Sequence, residues 1–362
     1  MLSPERVDAP KCIDFPHLAE AIIVRPLEAV APVGAALRGL LVRGAVRTFD
    51  SRILIEDPLS AVHRRVALPV PPVAPMLAPL APIDATLERV ADEGLHGNLM
   101  RLAGGFGALL GFLCATGPQR ARIQEWAQDR GMPGAFFMTD RGGPSMRRDW
   151  LSTWEVHGDH GTLTMDKIWA INAVDFGFAW VAARGRGALA PVLVLVDPES
   201  ALALQRQPTG RPYLGSSVQL GSVRGTLRLP ASHAMRKGGA GTIKRFLSFA
   251  RPRLVTSICL HLHWLARNAR LRLQGDALDA ALNLEQLARA VMAQTLAQGA
   301  TEDAVMLLKF AANELLLELV TSEAAPRSDD QRDLLGLSKM EGSSYRCLLE
   351  VFSRVRSYVR TV

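Results

Sequence analysis

The chain contains 362 residues, about two to three times the length of a typical domain. Apolar residues make up 48% and charged residues 21%, which excludes a wholly disordered chain, and no glycine period indicates collagen. The 42 basic and 35 acidic residues are spread along the sequence rather than clustered, so we expect no nucleic-acid binding.

The four cysteines lie far apart, at Cys12, Cys114, Cys259 and Cys347. This spacing excludes a CxxC metal or redox motif and a disulfide scaffold. We therefore expect reduced thiols in a cytoplasmic protein. The first twelve residues contain no apolar run of signal-peptide length, which agrees with that expectation.

The stretch 66–83 is uncharged and 18 residues long, as a membrane-spanning segment would be. Six prolines interrupt it, and a proline has no N–H for the helical hydrogen bonds that lipid requires. We therefore exclude a membrane span and expect an extended linker or surface belt.

The N-terminal third has apolar residues at helical spacing. This pattern predicts helices within 15–46 and 83–130, with breaks at the glycines of 94–97 and of 104–107. Pro118 lies where the first turn of a helix tolerates proline, so we predict an amphipathic helix over 119–130.

The pattern changes to short apolar or alternating runs separated by turn residues, which indicate a compact β domain. These runs lie at 135–139, 153–157, 162–167, 176–183, 192–196 and 225–229.

Helical spacing returns from residue 242 onwards, and each of two later helices has apolar residues on one face. These faces contain Leu308, Ala312, Leu315 and Leu319 in one helix, and Leu348, Phe352, Val355 and Val359 in the last. We predict an N-terminal helical domain (1–133, with the linker near 66–83), a middle β domain (134–236) and a C-terminal helical bundle (237–362).

Motifs that define a catalytic class by themselves are absent: the sequence has no GxSxG, Walker loop or HExxH. The glycine-rich segment 238–241 lacks the context of a phosphate loop and indicates a plain loop. His261 and His263 would point to different faces of a helix, so we predict no metal site.

Several spaced blocks resemble the acyl-CoA dehydrogenase family. Segment 117–184 contains GPQRARIQEWAQDRGMPGAFFMTD and later MDKIWAINAVDFGFAWVAAR, which are similar to the family's "TE-x-x-x-GSD" and "G-x-K-x-W-I-T/S-N-A" blocks. Segment 214–230 and the residues Phe249-Ala250-Arg251-Pro252 resemble the next blocks.

The resemblance implies an α+β, acyl-CoA dehydrogenase-like fold, with N-terminal helices, a middle β-barrel-like domain and a C-terminal four-helix bundle. It implies FAD as cofactor and the α,β-dehydrogenation, or a related oxidation, of an acyl thioester on CoA or an acyl carrier protein. A carboxylate would remove the α-proton while hydride leaves the β-carbon for the flavin. The implied assembly is a homo-oligomer (dimer or tetramer) or a hetero-oligomer.

The resemblance assigns flavin contacts in the β domain to Met138, Thr139, Ser145, Trp169 and Asn172. Trp169 corresponds to a tryptophan that stacks on the flavin, and a core tryptophan in a strand is the alternative. Thr139 corresponds to a threonine at the edge of the ring, with an ordinary strand threonine as the alternative.

Near the C-terminus, the segment Met340-Glu341-Gly342-Ser343-Ser344 resembles one in which many family members carry the catalytic base. Glu341 is therefore the predicted base, and a surface glutamate before a helix cap is the alternative. Ser343 is assigned to the cofactor, and Gly342 and Arg251 to the substrate.

The sequence departs from the family where a glycine-rich turn usually approaches the cofactor, because residues 319–324 read LVTSEA. This departure keeps two alternatives open: a fold member without FAD that performs non-redox thioester chemistry, and a non-catalytic partner subunit of a hetero-oligomer. The basic residues Arg236, Lys237, Lys244 and Arg245 would meet phosphates, an acidic carrier protein or solvent alone.

Overall fold

The structure is a computed structural model, and it describes residues 19–50, 73–141, 151–185, 191–235, 238–297, 302–322, 324, 327–340, 344, 347–348 and 351. Within these residues the chain is helical, then β, then helical again, as the sequence predicts.

The N-terminal part consists of helices. They are α1, a π-helical turn Glu20–Val24 that continues as Arg25–Glu28, then α2 (Ala35–Asp50), α3 (Val73–Glu93), α4 (Asn98–Cys114) and α5 (Gly117–Gln124), which continues through Glu125–Asp129. Helix α5 begins two residues before the predicted start: the Thr116 backbone N–H donates to Gln119 Oε1 at 2.8 Å in a capping box, and proline follows in the first turn.

Helix α3 corrects the prediction of an extended linker, because its first turns lie within the proline-rich stretch 66–83. Pro79 and Pro82 are inside the helix. The N–H that Pro82 lacks would have met the carbonyl of Ala78, and both residues are exposed, so water can satisfy that carbonyl. Leu80, Ile83 and the later apolar residues of the same face are buried, and this packing outweighs the cost of the prolines.

Helix α4 corrects a second prediction, because it continues through 104–107 without a break. Its glycines serve close packing instead. A Cβ on Gly105 would lie 2.7 Å from Ile83 Cγ1, and one on Gly111 would lie 2.8 Å from the Trp180 ring. The predicted break at 94–97 is confirmed, since Gly94 and Gly97 both adopt left-handed backbone angles between α3 and α4.

Seven strands among the described residues form one curled sheet. They are β1 (Gly134–Phe137), β2 (Thr153–His157), β3 (His160–Ile171), β4 (Phe178–Gly185), β5 (Pro191–Val196), β6 (Gln205–Pro208) and β7 (Leu220–Pro230). The order is β1-β4-β2-β3-β7-β6, with β5 paired to β4. The sequence did not predict β6, because this edge strand is polar and mostly exposed; a short helix, α6 (Pro198–Ala201), precedes it.

Strand β4 separates two cores, which explains its continuous apolar sequence. Phe178, Trp180 and Ala182 belong to the core shared with the helices, whereas Ala179 and Val181 face the interior of the β domain. Trp180 also donates its indole N–H to the carbonyl of Gly107 in α4, at 3.0 Å. The β domain is therefore fixed directly to the N-terminal helices.

Four helices follow in the described C-terminal part: α7 (Ala240–Arg267), α8 (Asp276–Ala297), α9 (Glu302–Thr321) and α10 (Ser328–Leu337). Helix α7 packs against α3, α4, α8 and α9, so it is the central helix of the molecule. The predicted apolar face of α9 is confirmed, since Leu308, Ala312, Leu315 and Leu319 are all buried. Most of the predicted last helix lies outside the described residues, and Leu348 is buried.

Candidate cofactor site

Trp169 lies in a bulge of β3. The pairing of β3 with β7 runs from His160↔Pro230 to Lys167↔Val223 and resumes at Ala170↔Gly221, so β3 has one additional residue. Trp169 has a φ of 57°, and 60% of it is exposed. The interpretation of Trp169 as a core residue is therefore wrong. A large apolar ring presented by strained backbone indicates a contact surface.

The end of β1 runs beside this bulge and brings Thr139 close to Trp169. The backbone N–H of Ile168 donates to the carbonyl of Thr139 at 3.0 Å, and the backbones of Asp140 and Lys167 form an isolated antiparallel β-bridge. Met138 and Thr139 are both half-buried. Three of the predicted flavin contacts, Met138, Thr139 and Trp169, therefore lie on adjacent segments where β1 and β3 end, and we call this surface, together with Asn172, the β edge.

Asn172 directly follows β3 with a φ of 62° and begins the next turn, in which its backbone carbonyl accepts from the N–H of Phe176 at 3.0 Å. The residue is 3% exposed, and its Oδ1 has no hydrogen-bond partner among the described residues. A buried acceptor without a partner costs about 1–3 kcal/mol, so this oxygen is suited to a ligand donor.

A buried ion pair that the sequence analysis did not identify lies between the residue after Thr139 and the β3 residue just before the bulge. Lys167 Nζ is 2.8 Å from Asp140 Oδ1, and both residues are buried. The signal in the sequence was a lysine on the inward side of an alternating strand, where an apolar residue is the norm. Its partner, Asp140, is 27 residues away in the sequence, so local spacing does not indicate the pair.

Arg251 lies on α7 and is 9% exposed. Its guanidinium donates to the sulfur of Met306 on α9, so the side chain contacts the interior of the bundle. Nothing in the described residues brings it next to Trp169.

Parts of the predicted site lie outside the described residues: Ser145, Glu341, Gly342 and Ser343, and of the basic cluster Arg236 and Lys237. The described chain reaches Met340, three residues beyond the end of α10. In the remainder of the basic cluster, Lys244 pairs with Glu302 at 3.0 Å. Arg245 Nε is buried and has no hydrogen-bond partner among the residues that the structure describes, and burial lowers the pKa of that guanidinium.

The side-chain hydroxyls at the end of α9 are already hydrogen-bonded, in contrast to Asn172 Oδ1. The hydroxyl of Thr321 donates to the carbonyl of Leu317 at 2.8 Å, and that of Ser322 donates to Leu319 at 3.4 Å. These groups are used within their own helix, and no glycine follows that would let backbone approach a phosphate.

The described residues contain no group of three or more His, Cys, Asp or Glu side chains that could hold a metal ion. In the same part of the chain, no helix combines the length and apolarity needed to cross a bilayer.

The residues at the β edge fit the ring end of a flavin. An exposed indole offers a stacking surface, the half-buried Met138 and Thr139 lie on the neighbouring strand end, and Asn172 Oδ1 can accept a hydrogen bond. The described end of α9 does not supply the glycine-rich contact that the family resemblance implies for the rest of the cofactor.

Comparison with models of protein families and with curated proteins finds no match. Solved structures do match. A glutaryl-CoA dehydrogenase from Mycobacterium smegmatis in complex with FADH2 is 16% identical (TM-score 0.60), covering 92% of this chain and 98% of its own. Butyryl-CoA dehydrogenase from Megasphaera elsdenii is 12% identical (TM-score 0.63), covering 90% and 99%.

A third match is FkbI, described as acting in biosynthesis of the methoxymalonyl extender unit of the polyketide FK520. It is 16% identical, with a TM-score of 0.59, covering 87% of this chain and 99% of its own. The chain therefore has a helical–β–helical architecture that known oxidoreductases share. This architecture is the acyl-CoA dehydrogenase fold, as the sequence resemblance implies.

Proposed function

We propose that the chain binds FAD at the β edge around Trp169 and oxidises an acyl thioester carried on CoA or on an acyl carrier protein. The observation that carries the proposal is the exposed Trp169, which has a left-handed φ angle in the β3 bulge and lies near Thr139 and Asn172. The fold supports it, because one structure with this fold is a complex with FADH2.

In this proposal Trp169 stacks on the flavin, Met138 and Thr139 meet its edge, and Asn172 accepts a hydrogen bond. Ser145 and Ser343 are assigned further cofactor contacts from the resemblance. When bound, FAD supplies the acceptor for the hydride that leaves the β-carbon. Burying the indole against the ring also removes apolar surface from water, which favours binding.

The proposed base is Glu341. Its carboxylate accepts the α-proton of the thioester, which a polarised carbonyl makes acidic, and the electron pair left on the α-carbon forms the new double bond as hydride departs. Gly342 and Arg251 are assigned to the substrate from the resemblance.

The substrate class we favour is an acyl group of a specialised biosynthetic pathway, and the described function of FkbI supports this choice. We further propose a cytoplasmic protein that forms oligomers. Cys114 and Cys259 support the location, since within the described residues they are buried thiols without a disulfide.

The visible absorption spectrum of the purified protein tests cofactor binding. We expect the yellow absorption of bound flavin, before or after FAD is added, and about one flavin per chain. A colourless protein that takes up no FAD would contradict the proposal.

Replacing Glu341 tests the base separately. In a flavin-containing Glu341→Gln variant, we expect turnover of a true thioester substrate to fall by about 10²–10⁴ with flavin content unchanged. Turnover equal to that of the wild type would remove the assigned role from Glu341.

A second candidate function is a subunit without FAD, either performing non-redox thioester chemistry or completing a hetero-oligomer. The observation that favours it is the end of α9, where Thr321 and Ser322 bond to their own helix and no glycine follows. The same spectrum decides between the candidates, because this alternative predicts no flavin absorption.

A further inference from the structure

We propose that Asp140 and Lys167 are positioning residues for the cofactor: their buried ion pair fixes the strand end bearing Thr139 against the bulge bearing Trp169. This inference rests on the proposed function, because it assigns the pair a purpose in shaping the flavin contact surface.

The Lys167 ammonium joins three parts of the β domain. It is fully buried, and it lies 3.0 Å from the carbonyl of Met138 after β1, 2.6 Å from the carbonyl of Ala182 in β4, and 2.8 Å from Asp140 Oδ1. An ammonium has three N–H donors, so these three acceptors match its full capacity.

The Asp140 carboxylate brings in a fourth part, the chain that enters β2. Oδ2 accepts from the backbone N–H groups of Leu151 at 3.0 Å and Ser152 at 3.2 Å, and Oδ1 accepts from the Ser152 hydroxyl. A carboxylate with this many donors holds its neighbours in one geometry.

The location of the pair indicates positioning rather than general stability. Lys167 is the last β3 residue paired with β7 before the bulge, and Ile168 and Trp169 have no register partner in β7. Within the bulge, contacts come from the opposite side, through the Ile168 N–H bond to Thr139 and through the ion pair at Lys167. Buried ion pairs contribute little net stability compared with apolar residues of similar size.

The charge state of Lys167 agrees with this arrangement. Burial lowers the pKa of Lys167 to about 8, and Asp140 opposes that shift. Lys167 therefore remains an ammonium at neutral pH, and it can hold all three acceptors while the flavin is bound.

The test compares Asp140→Asn with a matched control, Asp84→Asn. Asp84 also pairs with a buried cation, since it binds Arg253, but that pair joins α3 to α7. We would measure the dissociation constant for FAD, the shape of the flavin visible band, and the unfolding midpoint without FAD.

We expect both variants to lower the unfolding midpoint. Asp140→Asn should weaken FAD binding at least tenfold and alter the flavin band, whereas Asp84→Asn should leave the dissociation constant within about twofold of the wild type. If Asp140→Asn does not fold, Ser152→Ala replaces it. That variant removes one donor to Asp140 and keeps the ion pair, and we expect about a threefold loss of affinity.

The outcomes separate the two proposals. A folded Asp140→Asn variant, or in its place Ser152→Ala, with wild-type affinity and a wild-type band would overturn the positioning role and leave the proposed function intact. A wild-type protein that takes up no FAD would overturn both.

Discussion

His261 shows how a single buried side chain can make stability depend on pH. It is 2% exposed, stacks on Trp264, and accepts the backbone N–H of Leu95 at Nδ1, at 3.2 Å. Its proton is therefore on Nε2 in the neutral ring. Burial, with contributions from His96 and Arg270, lowers the pKa of His261 to about 3.

The sign of the pH effect follows from this shift. In the unfolded chain the imidazole titrates at its ordinary value of 6.5, so between that pH and about 3 only the unfolded state binds the proton. Stability therefore falls as pH falls through this window. For His261 alone the loss between pH 6.5 and pH 5 is about 2 kcal/mol.

We expect His261→Phe to reduce the pH dependence of the free energy of unfolding, measured with urea at about pH 7.5 and about pH 5. Some dependence will remain, because burial also lowers the pKa of His96. The exposed His157, replaced by Gln, is the control and should behave as the wild type. Equal pH dependence in His261→Phe and wild type would contradict the assignment.

Gly94 and Gly97 form a matched pair for separating backbone strain from steric clash. Both have left-handed φ angles, 71° and 73°. A Cβ on Gly94 would lie 2.8 Å from the Trp264 ring, whereas one on Gly97 would meet nothing within 4 Å. We expect Gly94→Ala to cost about 2–4 kcal/mol and Gly97→Ala about 1 kcal/mol in urea unfolding. Similar losses would show that the Trp264 contact adjusts freely.

At the scale of elements, the ion pair between α3 and α7 has a large expected effect on stability. The Arg253 side chain is 1% exposed and contacts Asp84 through Nε at 2.7 Å and Nη2 at 3.1 Å. Asp84→Asn leaves the guanidinium buried without its carboxylate. Because the Asp84 side chain is 43% exposed, water can replace part of the carboxylate, and we expect a loss of about 1–3 kcal/mol in the free energy of unfolding.

The control for this prediction lies on the same helix. Arg89 and Glu93 form a pair in which both side chains are about half exposed, so Glu93→Gln should cost far less than Asp84→Asn. Equal losses in the two variants would mean that burial of Arg253 does not determine the effect.

The elements also show what the sequence can predict. The continuous apolar run of β4 and the apolar face of α9 are local patterns, and both were predicted correctly. The α3 prolines and the α4 glycines led to wrong predictions of a linker and of a helix break. Packing against residues distant in sequence, such as Trp180, determines the structure there. Thr139, Trp169 and Asn172 were predicted through family resemblance, whereas the exposure of Trp169 depends on its register with β7.

At the scale of the whole molecule, the candidate cofactor should act as a stabilising ligand. FAD that binds only the folded chain adds RT ln(1 + [FAD]/Kd), or about 2.7 kcal/mol at 100 times Kd. Trp169 is 60% exposed, so its contribution to the stability of the free protein is small. The effect of replacing it should therefore appear mainly in the presence of FAD.

We expect Trp169→Ala to leave the unfolding free energy without FAD within about 0.5 kcal/mol of the wild type. If the lost stacking weakens FAD binding tenfold, the stabilisation at the same FAD concentration falls by about 1.3 kcal/mol. Leu202→Ala is the control, since Leu202 is 82% exposed in the same β domain and lies outside the proposed site. Thermal unfolding with and without FAD measures both quantities. Equal stabilisation of Trp169→Ala and wild type would place the flavin elsewhere.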